Sequence, residues 1–207
     1  DRVGVKPLFY YFSNDLLLFG SELKSFHTHS GFKKELCFNG ISSFLENGFI
    51  SAPFTIFKNT KKLGAGEYLV LDLNSKQVET KKYWSVYDSY KKPLLDISFQ
   101  EAKEQTESLL KSAFQYRMIA DVPVGVFLSG GYDSSCVAAL LQTQNVNKIK
   151  TFTIGFHEQE YNEAQYSKQV AEFLGTDHHE YYCTEREAIE LVPQLPLIYD
   201  EPFADPS

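Results

Sequence analysis

At 207 residues, with 43% hydrophobic and 15% aromatic side chains, the chain can bury one large core or two modest ones and is too apolar for disorder. A net charge of −7 supplies no basic field, which speaks against a nucleic-acid partner, and no apolar run is long enough for a membrane span. Three scattered cysteines (Cys37, Cys136, Cys183) form no CxxC pair or Cys/His cluster, so neither a zinc framework nor a disulfide scaffold is expected, and a cytoplasmic location is.

Residues 1–84 read as mostly β. Two apolar runs, residues 7–12 and 16–19, flank the polar turn Ser13-Asn14-Asp15, and residues 66–73 and 78–84 flank a turn at Asn74-Ser75. Between these hairpins, residues 41–47 suit a short helix closed by Gly48. A polar linker over residues 88–93 precedes a change of period. From Ser98, Phe99, Ala102, Thr106, Leu109, Leu110, Ala113 and Phe114 share one helical face, and Ser98 with Glu101 fits a capping box. Strands then alternate with helices: strands at 122–128, 150–156 and 178–183, helices at 133–144, 162–174 and 186–199. Alternation of this kind predicts a parallel sheet covered by helices, an α/β module after a β-rich one, with the boundary near residue 90.

The chemistry is expected in one loop. Val124-Gly125-Val126-Phe127-Leu128 is an apolar strand, Ser129-Gly130-Gly131 a small-residue turn, and Tyr132-Asp133-Ser134-Ser135 a helix start. Glycines let the backbone turn sharply and approach a ligand, and the first N–H groups of the helix suit phosphate oxygens. Ser129 and Ser134 add hydroxyl donors. Asp133 sits awkwardly beside phosphate unless Mg²⁺ lies between them, the usual place for a hard oxygen ligand. A plain glycine turn with Asp133 or Ser134 as an N-cap is the bland alternative. The coincidence of strand, Ser-Gly-Gly, aspartate and helix favours the ligand. The lysine and spacing of a Walker loop are absent, as is GxGxxG.

Ser129-Gly130-Gly131-Tyr132-Asp133-Ser134 resembles the pyrophosphate loop of the ATP pyrophosphatases, and the preceding Ala120-Asp121-Val122-Pro123-Val124-Gly125 resembles the approach to it in glutamine-dependent asparagine synthetases. Lys150-Thr151-Phe152-Thr153-Ile154-Gly155-Phe156, Asn162-Glu163, Gly175-Thr176-Asp177-His178-His179-Glu180 and Asp200-Glu201-Pro202-Phe203 resemble further segments of that family, in order. Asp1-Arg2-Val3-Gly4-Val5-Lys6-Pro7-Leu8-Phe9-Tyr10, Gly20-Ser21-Glu22-Leu23-Lys24 and Leu63-Gly64-Ala65-Gly66-Glu67-Tyr68 resemble its glutaminase domain.

The resemblance implies residues 1–90 as the C-terminal part of an N-terminal-nucleophile glutaminase domain. Residues 91–207 would begin a parallel-sheet ATP-pyrophosphatase domain of the adenine nucleotide alpha hydrolase-like kind. It implies ATP and Mg²⁺ as cofactors, with Ser129, Gly130, Gly131 and Ser134 holding pyrophosphate, Asp133 binding Mg²⁺, and Leu128 and Ile154 framing adenosine. Glutamine would supply ammonia, and a carboxylate, usually that of aspartate, would be adenylated and then converted to its amide. It allows a homodimer. The glutaminase nucleophile, an N-terminal cysteine, is expected upstream of Asp1, and a second synthetase loop beyond Ser207, so the chain is expected to be an inactive internal piece. Relatives that form β-lactams, cyclise peptides or amidate sugar carboxylates share the loop, and a non-catalytic nucleotide-binding remnant is a third reading.

Other residues carry weaker signals. Adjacent His178 and His179 on a strand point to opposite faces and cannot easily grip one ion, so they are read as structural. His27 and His29 lack a third ligand. Arg117 could steer phosphate or simply end a helix. Asp200 and Glu201 are open between a capping or solvated role and one near the substrate site.

Overall fold

The computed structural model describes residues 1–158 and 162–204. Two compact units emerge: one from Asp1–Leu94 joined by the segment from Pro193 onward, the other from Leu95–Val192.

In the first unit, β1 (Phe9–Ser13) and β2 (Leu16–Gly20) form the expected hairpin, with Asn14 and Asp15 at φ of 49° and 64°, both in the left-handed region that such a tight turn demands. Helix α1 (Phe38–Asn47) ends on Gly48 at φ 77°, whose N–H donates to the Phe44 carbonyl. A short strand that sequence patterning missed, β3 (Thr60–Lys62), pairs antiparallel with β1 and makes β1 the centre of a three-stranded sheet. That central place explains why Phe9, Tyr10 and Tyr11 are all buried rather than alternating. Phe9, Tyr11, Leu23 and Phe26 form the core, the last two from a 3₁₀ turn over Leu23–Thr28. The second expected hairpin is β4 (Glu67–Leu71) with β5 (Val78–Lys82). Part of the expected linker is instead a short helix, α2 (Val86–Tyr90), because the Ser85 side chain accepts from the Tyr87 N–H and starts it.

The second unit opens with α3 (Phe99–Arg117), which carries the predicted Ser98–Glu101 capping box. Its apolar face is only partly used. Phe114 and Met118 pack on the core beside α4, whereas Phe99 and Leu109 are 87% and 71% exposed. Then follow β6 (Gly125–Phe127), α4 (Tyr132–Gln144), β7 (Lys150–Phe156), α5 (Ala164–Leu174) and β8 (Asp177–Cys183), two successive β-α-β units whose strands pair in parallel in the order β6-β7-β8. Strand β6 is shorter than the apolar run that announced it. On β7, Thr151, Thr153 and Gly155 are buried under the helices while Phe152, Ile154 and Phe156 face outward. Leu128, Ala138, Leu141, Ile149 and Ala171 make the core beneath α4 and α5.

The expected helix over residues 186–199 is broken into three. Helix α6 (Glu185–Leu191) gives way to a 3₁₀ turn at Val192–Gln194 and then to α7 (Leu195–Ile198). Pro193 and Pro196 each lack an N–H and clash with the preceding turn, so a continuous helix is not available. The break coincides with the passage of the chain back to the first unit. Asp205, Pro206 and Ser207, which follow the acidic segment, lie outside the described residues.

Two predictions follow from this packing. Leu141→Ala, 3% exposed in the core, should cost about 2–5 kcal/mol in denaturant unfolding, whereas Leu109→Ala should change stability by no more than about 0.5 kcal/mol. At the start of α6, Glu187 accepts from the Tyr181 hydroxyl (2.6 Å), the Thr184 N–H (2.8 Å) and the Thr184 hydroxyl (2.7 Å), and its carboxyl is lowered to about 2, first by Tyr181 and then by Thr184. Its folded value lies below the ordinary carboxylate value of about 4.3, so its stabilisation is complete above that pH and fades as pH falls toward 2. Glu187→Gln should flatten the acid limb of thermal stability in that window, measured as melting midpoint against pH.

Candidate functional site

The loop between β6 and α4 projects from the C-terminal end of a parallel strand, the edge at which open α/β sheets hold their ligands. Its foundation is Leu128, 1% exposed, whose side chain lies in the core. Both of its backbone polar groups are tied to β7: its N–H donates to the Phe152 carbonyl (2.9 Å) and its carbonyl accepts from the Thr153 hydroxyl. Thr153 was not singled out in the sequence, although its place in a Thr-x-Thr alternation on β7 marks it as inward-facing.

Above Leu128 the backbone turns through Gly130 at φ +80°. A Cβ there would lie 2.8 Å from the Ser167 nitrogen and 2.8 Å from the Tyr166 Cβ, so conformation and space both demand glycine. The hydroxyls of Ser129 and Ser134 are 3.0 Å apart, the Ser129 N–H donates to Ser134 Oγ (3.2 Å), and the Gly131 N–H donates to Ser129 Oγ (3.3 Å). These bonds hold the two serines across the mouth of the turn. Gly131 is the N-cap of α4 and makes no side-chain cap bond, so the first N–H groups of a 13-residue helix are left to solvent or a ligand.

Ser129, Gly130, Gly131, Asp133 and Ser134 therefore converge on one turn. Asp133 is exposed in the first helical turn. Ile154 is 54% exposed and lies on the face of β7 opposite Thr153. The residues fit a polyphosphate: backbone donors, two hydroxyls and a favourable helix dipole stand together at one turn. They also fit Mg²⁺ bound partly by phosphate oxygens, since one carboxylate suffices there. Among the described residues, no cluster of three His, Cys, Asp or Glu could hold an ion without phosphate.

The histidine pair divides between faces. His178 Nδ1 lies 2.9 Å from Thr151 Oγ1 under the helices, while His179 stacks on Phe152 with ring centroids 5.2 Å apart on the other face. Among the described residues, no helix is long and apolar enough to cross a membrane.

A loop of this build on a parallel sheet defines the class: an α/β unit whose strand-to-helix turn suits an anion. Comparison with known proteins carries the assignment further. Residues 105–207 match the asparagine synthase family model and residues 1–84 the glutamine amidotransferase domain model. The chain is 40% identical, over 99% of its length, to a Methanocaldococcus jannaschii protein named putative asparagine synthetase (glutamine-hydrolyzing) 2. It is 28% identical over its whole length to asparagine synthetase (glutamine-hydrolyzing) 1 of Bacillus subtilis. It is 32% identical over 86% of its length to amidase chry2 of Gibberella zeae. It belongs to the glutamine-hydrolysing asparagine synthetase family, and it spans 39%, 32% and 28% of the lengths of these three relatives.

Gly130→Ala should weaken binding of ATP or pyrophosphate by about tenfold or more, equivalent to at least about 1.4 kcal/mol, in calorimetric titration. Gly131→Ala, where a Cβ would meet only Ser129 Oγ at 3.4 Å, should be the milder change.

Proposed function

We propose that the chain belongs to a cytoplasmic, ATP-dependent amidotransferase that adenylates a carboxylate, releases pyrophosphate, and lets glutamine-derived ammonia displace AMP to form an amide. L-Aspartate, giving L-asparagine, is the acceptor we assign. The observation that carries this reading is the turn over residues 129–134: an uncapped helix start, a glycine that admits no Cβ, and two bridged hydroxyls at a strand's C-terminal end. The family match supplies the reaction class.

In this reading residues 1–90 are the C-terminal part of a glutaminase domain of the N-terminal-nucleophile type. Residues 91–207 are the first part of a synthetase domain of the ATP-pyrophosphatase type. Ser129, Gly130, Gly131 and Ser134 hold the β- and γ-phosphates through hydroxyls and backbone N–H groups. Leu128 fixes the height of the turn, and Ile154 offers an apolar surface to the nucleoside. Asp133 would hold Mg²⁺, which when bound neutralises charge on the departing pyrophosphate. The chain's own contribution is to hold the phosphates in place and keep the α-phosphorus open to the carboxylate.

The test uses the full-length enzyme with ATP, glutamine and a panel of carboxylic acids, following AMP, pyrophosphate and amide. AMP and pyrophosphate should appear with aspartate; ADP and phosphate would defeat the reading. Asp133→Ala should lower AMP formation by at least about a hundredfold while glutamine hydrolysis stays measurable.

A further inference from the structure

The segment from Pro193 onward lies in the stretch matched by the synthase model, yet it packs within the first unit, whose other residues fall largely in the amidotransferase match. Two adjacent carboxylates fasten it. Asp200 Oδ2 accepts from the Leu23 N–H at 2.5 Å and Oδ1 from the Lys24 N–H at 3.3 Å. It thereby caps a 3₁₀ turn whose own N-cap, Glu22, makes no side-chain cap bond. The Lys24 ammonium lies 3.8 Å from Asp200 Oδ1 and donates to the Leu197 carbonyl at 3.1 Å. Glu201 Oε1 accepts from the Ile56 N–H at 2.8 Å, and Oε2 lies 2.6 Å from Lys62 Nζ, which also donates to the Ile50 carbonyl. The Ala204 N–H donates to the Gly48 carbonyl at 2.8 Å.

The side chains of Asp200 and Glu201 are 12% and 11% exposed, and all four carboxylate oxygens are engaged by protein donors. Such groups are poorly placed to serve as substrate or metal ligands, and removing either would leave buried donors without acceptors. The fastened segment also contributes Tyr199, Pro202 and Phe203 to the wall of a cavity of about 650 Å³, together with Leu8, Phe9 and Leu63.

We propose that Asp200 and Glu201 are positioning residues that form a hook coupling the two half-reactions, and that they are not substrate contacts. A segment matched by the synthase model is held within the unit matched largely by the amidotransferase model, so amide synthesis proceeds at full efficiency from glutamine only while these bonds are intact. This inference rests on the function proposed above.

The experiment compares Asp200→Asn, Asp200→Ala, Glu201→Gln, Glu201→Ala and Lys24→Met in the full-length enzyme. Three quantities are read: glutamate released per amide formed, AMP formed with ammonium in place of glutamine, and hydrogen exchange of the Leu23, Lys24 and Ile56 amides. The alanine variants should release about threefold or more glutamate per amide, retain ammonium-supported AMP formation within about twofold, and lose protection at those amides. The Asn and Gln variants keep one of the two acceptor oxygens and should give a ratio between the parent and the alanine variants. Lys24→Met, at a lysine 41% exposed, should give a smaller rise in the same direction and serves if an alanine variant does not fold. Parallel loss of glutamine- and ammonium-supported synthesis, with the amide variants as damaging as alanine, would make the carboxylates reaction-site ligands and overturn the hook. Lost protection with an unchanged ratio would overturn the coupling. A parent enzyme that forms no AMP would instead defeat the function proposed above.

Discussion

The second unit depends on how Leu128 is held. Its side chain is a centre of the core, and its N–H and carbonyl are both bound by β7, so the last residue of the β6 run has no freedom to shift. A turn that must place several N–H groups and two hydroxyls within tenths of an ångström needs such a base, because close-packed interiors transmit small displacements. Gly130 then fits against the backbone of Ser167 and the Cβ of Tyr166 at the start of α5. The loop is thus clamped between a strand below and a neighbouring helix beside it.

Much of this was legible in the residues. The strand–helix alternation announced the parallel sheet, and its limits at residues 150–156 were read without error because β-branched and aromatic residues run between clear breaks. Capping chemistry marked Ser98, and Gly48 and Gly175 ended their helices in the left-handed region. What stayed hidden depends on partners far away in sequence. Nothing local to Thr60–Lys62 shows that it will extend the sheet beside β1. The inward face assigned to α3 is half unused, since periodicity states which residues could be buried and not whether a neighbour arrives. The helix expected over residues 186–199 failed for a local reason, its two prolines, which an apolar count alone overlooks.

The acidic pair at residues 200–201 shows the limit of motif reading in a different way. As letters, Asp-Glu-Pro-Phe is equally a cap, a solvated corner or a site. Only the three-dimensional partners distinguish these, and Asp200 meets Leu23 across 177 residues of chain while Glu201 meets Ile56 across 145. Contacts of that separation carry a large loop-closure cost, and two buried carboxylates with matched donors are a reasonable means of meeting it.

The treatment of helix N-termini separates structure from function within the second unit. Helix α3 begins with Ser98 and Glu101 bonded reciprocally, α6 with Thr184 and Glu187 likewise, and α5 with the Asn162 side chain accepting from the Ala164 N–H. Each of these helices has one early N–H met by a side chain of its own sequence. Helix α4 begins on Gly131 with no side-chain acceptor, and the two hydroxyls nearest its start are turned toward each other and toward the loop backbone. The N-cap itself is a glycine, and the serines at 129 and 134 bond within the loop and shape it instead. The open donors of α4, at the strand's C-terminal edge, are the ones the proposed pyrophosphate would use. The carboxylate of Asp133 in that same turn would repel a bare phosphate, which is why the function proposed above pairs the phosphate with a divalent cation.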